Sequence, residues 1–102
     1  MSNMDNAMKA ATTSFSSRVE NLILGETTSL CRRLEHADPE FQKPGEVTKT
    51  IRNSVDPIVA KMRKRTGNDF RVESGSYITR DSSLMIVVSV TRVGSNGDVN
   101  GL

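Results

Sequence analysis

Apolar residues recur at helical spacing over two stretches of the chain and at every second position over a third. Phe15, Val19, Leu22, Ile23, Leu30, Cys31 and Leu34 form the first stripe. Side chains three and four apart share a helix face, so this spacing predicts a helix over about 14–36. Ser17 followed by Glu20 offers a capping box that would move its start inward. Gly25 lies inside the stripe and weakens a helix by roughly 1 kcal/mol relative to Ala, or else admits a close backbone neighbour. Asp38-Pro39 ends the element, because proline drives its predecessor out of the α region.

Residues 37–45 read as a loop with Phe41 as its anchor. Val47, Ile51, Val55, Ile58, Val59 and Met62 then predict a second helix over about 46–66. Pro57 removes one backbone hydrogen bond there, and the stripe stays in phase across it, which predicts a kink rather than a new helix. Gly67 suits the left-handed position after a helix, and the Lys and Arg before it suit the negative end of the helix dipole. Beyond Gly67 the period changes to two. Phe70, Val72, Tyr77 and Ile78 predict one strand, or two short ones broken at Ser74-Gly75. Arg80 to Ser83 is turn-like. Leu84 to Val93 is the strongest strand, with Leu84, Ile86, Val88 and Val90 on a core face and Met85, Val87, Ser89, Thr91 and Val93 on a half-covered one.

These elements predict an α+β domain over 14–93, with two antiparallel helices packed on a two- or three-stranded antiparallel sheet in the order α-α-β-β or α-α-β-β-β. Residues 1–13 read as a flexible arm or frayed helical lead-in, and 94–102 as a disordered tail. The expected core is Phe15, Val19, Leu22, Leu30, Leu34, Ile51, Val55, Ile58, Met62, Phe70, Val72, Leu84, Ile86, Val88 and Val90.

Composition changes this picture in two ways. The 102 residues are only 35% hydrophobic and 4% aromatic, and about 80 residues without the tails make a marginal lone core. A homo-oligomer is therefore expected, most simply by pairing the long strand with its counterpart in another copy. No apolar run spans a membrane and no secretory leader is visible. One Cys fits a reducing, cytoplasmic setting.

Catalytic and metal chemistry finds little support. The one His, His36, lies five residues from Cys31, which puts the two on different helix faces. Cys31 then reads as a small core residue and His36 as a helix-terminal one. Glu35, His36, Asp38 and Glu40 lack a ligand spacing, and Asp69, Glu73 and Asp81 read as turn-formers and solubilising charges. No phosphate-cradling glycine motif occurs. The chain is expected to hold no metal or cofactor and to be no enzyme.

Charge supplies the remaining signal. The 14 Lys+Arg outnumber the 12 Asp+Glu, a net +2. Lys61, Arg63, Lys64 and Arg65 close the second helix with no acid between Asp56 and Asp69. With Arg71, Arg80 and Arg92 on or near the strands, and Tyr77 to stack on a base, they outline a surface for DNA or RNA phosphates. The competing reading makes these cations a solvated helix face and Tyr77 a core residue with its hydroxyl outward.

From Pro57 to Val93 the order of helix, basic helix end, polar strand and apolar strand resembles that of small phage head–tail or tail-completion proteins. The likeness covers under half the chain, lacks the small-residue and Gly-Arg signature after the helix, and carries over no residue role.

The leading expectation is a non-catalytic, oligomeric nucleic-acid-binding protein. The alternative is a protein-interaction or assembly module, such as a virion head–tail component or an inhibitor of a host protein, acting through a strand edge or the Met85 and Val87 face.

Overall fold

The last strand is the element on which the others are laid. Ile86, Val88 and Val90 alternate along it, and all three are fully buried. The structure, a computed structural model, describes residues 3–94, with side chains from residue 10 onward. In chain order the elements are α1 (Asn3–Glu20), β1 (Thr27–Leu34), a short 3-10 turn (Pro39–Gln42), α2 (Pro44–Thr66), β2 (Phe70–Ile78) and β3 (Leu84–Arg92). The sheet order is β1-β3-β2, and β3 is antiparallel to both neighbours. Strands β1 and β2 thus run parallel with β3 between them and α2 as their crossover, a split β-α-β arrangement.

The α+β class and the helices-on-sheet architecture match the sequence expectation, and of the two or three strands expected the sheet has three. The element order is instead α-β-α-β-β, because the predicted first helix is two elements. Residues 27–34 form β1, and α1 ends at Glu20. Gly25 sits between them with φ +88°, a left-handed conformation that suits glycine, and its N–H donates to the Arg92 carbonyl at 2.7 Å. Ser17 and Glu20 close α1 rather than open a helix. The Ser17 carbonyl accepts from the Asn21 side chain at 2.9 Å. The helices are also not antiparallel. Arg65 at the end of α2 lies 3.7 Å from Glu20 at the end of α1, and Ser54 and Ile58 lie beside Thr12 and Ser16. Each helix is followed by a strand running back, so both helices point the same way.

The residues expected as a flexible arm or frayed helical lead-in are helical from Asn3, and Ala11 packs against the core. Ala11, Phe15 and Val19 fall four apart on one face of α1, and Leu22 continues the apolar line just past its end. The core joins Phe15, Val19, Leu22, Leu30, Leu34, Val47, Ile51, Val55, Val59, Met62, Phe70, Ile86, Val88 and Val90. Ile58, Val72 and Leu84, expected in it, are partly buried at its margin with Phe41. Helix α2 is continuous through Pro57, and Gly67 caps it at φ +75° with its N–H on the Arg63 carbonyl at 3.0 Å. Strand β2 is unbroken at Gly75. The tail predicted from residue 94 lies outside the described residues, apart from Gly94 itself. Among the described residues no helix is long and apolar enough to cross a membrane.

The β2–β3 turn is held by side chains. The Thr79 hydroxyl and the Arg33 guanidinium both donate to the Asp81 carboxylate. The Thr79 bond first, then Arg33, lowers the Asp81 pKa from 3.8 to about 2.

Two stability measurements follow from this packing. Phe15→Ala should cost about 3–5 kcal/mol in urea unfolding, whereas Ile23→Ala, at a residue 64% exposed, should change stability by less than about 0.5 kcal/mol. Asp81 has a depressed folded-state pKa, so its contribution is complete above its unfolded value and is lost as pH falls toward about 2. Urea midpoints should therefore drop through that acid window in the wild type. The drop should be smaller in Asp81→Asn.

Candidate functional site: the uncovered face of the sheet

Both helices lie on the core face of the sheet, and no described element packs on the other. Strand alternation places Thr27, Ser29, Cys31 and Arg33 of β1 on this outer face. Met85, Val87, Ser89 and Thr91 of β3 join them, with Arg71, Glu73, Gly75 and Tyr77 of β2. The register sorts the twelve into four cross-strand rows: Thr27–Thr91–Arg71, Ser29–Ser89–Glu73, Cys31–Val87–Gly75 and Arg33–Met85–Tyr77. The first two rows are polar, and hydroxyl pairs zip their strands together, Thr27 to Thr91 at 2.7 Å and Ser29 to Ser89 at 2.9 Å. The last two rows carry the apolar and sulfur-bearing side chains. Tyr77 is 54% exposed there, and Met85 and Val87 are half-buried.

Gly75 leaves a notch between these halves, a shallow groove of about 420 Å³ bordered by Glu73, Tyr77, Val87, Ser89 and Thr91. Its backbone conformation does not demand glycine, and a Cβ built there meets nothing within 4 Å. Glycine weakens a strand interior, and nothing among the described residues requires it at this position.

The eight residues predicted to contact nucleic acid do not share one surface. Arg63 donates to Asp69 at 2.9 Å and to the Phe70 carbonyl at 2.7 Å. Arg65 pairs with Glu20. Arg92 donates to Asn68 and to the Leu22 carbonyl, each at 2.8 Å, with its guanidinium 5.9 Å from the Phe70 ring centre. Arg63 and Arg92 thus cap carbonyls within the fold, whereas Arg65 and Glu20 form an exposed ion pair. Lys61 and Lys64 are exposed on the solvent side of α2, across the thickness of the domain from Arg71 and Tyr77 on the outer sheet face. Arg80 is exposed in the hairpin turn. Met85 and Val87, predicted as an interface, lie together on the outer face as expected.

Cys31, Arg33 and Gly75 are parts of this face that the sequence reading did not assign to it. Cys31 is exposed on β1 rather than packed in a helix. His36 follows β1 rather than ending a helix, and its ring stacks on Phe41 with centroids 4.4 Å apart. The signal that points to β1 is Thr27-Thr28, two β-branched residues directly after Gly25 and Glu26. Arg33 is held at the rim by Asp81 and by Glu35 at 3.5 Å. Arg32, on the core side, reaches Glu40 at 3.0 Å. Among the described residues no three His, Cys, Asp or Glu side chains converge as metal ligands.

Neither the curated proteins nor the solved structures include a match to this chain. One family model covers residues 13–94, the span from the middle of α1 to the end of the sheet. The chain belongs to the family described as Domain of unknown function (DUF7609).

Proposed function

We propose that this chain is a non-catalytic protein-interaction or assembly module that presents the outer face of its sheet to another polypeptide. The observation that carries this is a complete sheet face on which no described element packs, and on which Tyr77, Met85 and Val87 adjoin the groove at Gly75. Such a face is rigid before binding, because β3 is hydrogen-bonded along both sides. A preorganised surface loses little conformational entropy on association. Half-exposed aromatic and thioether side chains are the kind enriched at protein interfaces.

Charge favours a polypeptide over a polyanion as the ligand. The outer face carries Arg33, Arg71 and Glu73, with Asp81 at its rim already engaging Arg33. A phosphate-binding surface needs a continuous cationic excess. Two of the four clustered cations of α2 are instead engaged by Asp69 and Glu20.

The test uses the full chain as bait in a lysate at low and high salt, followed by reconstitution with the purified partner. Capture should persist at high salt and be lost in the double variant Met85→Glu/Val87→Glu. Gly75→Val should also lose it, while raising the stability of the free chain by about 0.5–1 kcal/mol. Steeply salt-dependent binding of DNA or RNA, lost in Lys61→Ser/Lys64→Ser, would overturn this reading in favour of nucleic acid.

A further inference from the structure

Both edges of the sheet carry open backbone groups, and the longer uninterrupted run of them lies on β2. At the hairpin end the Thr79 N–H donates to the Ser83 carbonyl. This sets the phase of the ladder. Odd-numbered residues of β2 exchange bonds with β3, and even-numbered residues turn their N–H and C=O groups outward. At Phe70 both outward groups are already satisfied. Its N–H donates to the Asp69 carboxylate at 2.9 Å, and its carbonyl accepts from Arg63 at 2.7 Å. On the β1 edge, Arg18 of α1 donates to the Ser29 carbonyl at 3.1 Å and to the Thr28 hydroxyl at 3.0 Å, which separates the open groups of Thr27 from those of Cys31 and Arg33. The outward backbone groups of Val72, Ser74, Ser76 and Ile78 take part in no hydrogen bond among the described residues, and beside them Arg52 of α2 donates to the Ser74 hydroxyl at 3.1 Å. Nor does β2 carry a Pro, a Lys or a bulge, the usual devices that blunt an edge. Ile78, at its end, is 64% exposed.

We propose that this chain forms a symmetric dimer in which β2 of a second copy adds, antiparallel, to the open edge of β2 and makes one six-stranded sheet. The proposal deepens the assembly reading by naming a partner for the sheet edge. One register pairs all four open residues of each strand. Val72 lies opposite Ile78 of the second copy, and Ser74 opposite its Ser76. The two-fold axis then passes between the two Gly75 residues. This register is self-complementary in side chains as well. The exposed Ile78 gains a cross-strand apolar neighbour, Val72, on the core side of both copies. On the outer side Tyr77 has Gly75 and Arg71 of the second copy as diagonal neighbours, so its ring overlies a strand position without a side chain and comes within reach of a guanidinium. Arg71 itself has no salt-bridge partner among the described residues. The expected strand-to-strand pairing of two copies therefore moves from β3, which is central and has no free edge, to β2.

The test is sedimentation equilibrium on the full chain with variants that separate the edge from the face. The wild type should sediment as a dimer at high micromolar concentration. Ile78→Lys, whose folding is checked by circular dichroism, should sediment at the monomer mass. Met85→Glu/Val87→Glu should stay dimeric, because the outer face is not the contact. In a Cys31→Ser background, Gly75→Cys should give a covalent dimer with oxidised glutathione. Opposed residues of a non-hydrogen-bonded pair lie about 4.5 Å apart at Cα, within disulfide reach. Glu73→Cys in the same background should not cross-link. A wild-type monomer at every concentration overturns the proposal, and leaves the sheet-face reading to its own capture test. So does a dimer that survives Ile78→Lys but is lost in Met85→Glu/Val87→Glu, which would assign the contact to the face.

Discussion

Strand β3 organises the whole domain, because β1 and β2 are never neighbours and meet only through it. Its alternation allots Ile86, Val88 and Val90 to the helices and Met85 and Val87 to the outer face. A strand with both edges hydrogen-bonded is fixed in register, since a slip of one residue would exchange the two sets. The helices then need only supply apolar stripes, which α1 does with Phe15 and Val19 and α2 with Ile51, Val55 and Val59.

Where one periodicity fits the residues, sequence and structure agree. The alternation in Leu84 to Val93, the long stripe of α2 and its glycine cap are all present as read. Disagreement centres on β1. Leu30 and Leu34 are four apart, which is close to one helical turn and is also an even strand interval, so the same pair marks a buried face in either structure. With Phe15, Val19 and Leu22 upstream, the helical phase continued by coincidence across Gly25. Misreading that one element also turned the helix sense around and hid a third of the outer face, including Cys31 and Arg33. The candidate site was thus legible where it lies on β3 and illegible where it lies on β1.

Arginine here supplies bonds within the fold as well as charge. Arg18, Arg63 and Arg92 each donate to a backbone carbonyl of another segment. A guanidinium offers several donors in one plane, so one side chain can satisfy a carbonyl and a neighbouring polar group together. Arg92 spans the Asn68 side chain and the Leu22 carbonyl, tying the end of α1 to the start of β2. In a domain with few aromatic residues, these bonds close the sheet ends that larger apolar side chains would otherwise cover.

The order in which the strands occur along the polypeptide has a consequence for biogenesis. Thr27 finds its sheet neighbour at Thr91, so the first strand made by the ribosome waits for the last. During that interval α1, β1 and α2 emerge with their apolar faces uncovered and no central strand to receive them. Distant pairings of this kind slow folding and lengthen the exposure of sticky intermediates. The sheet can therefore be completed only once Leu84 to Arg92 has been made.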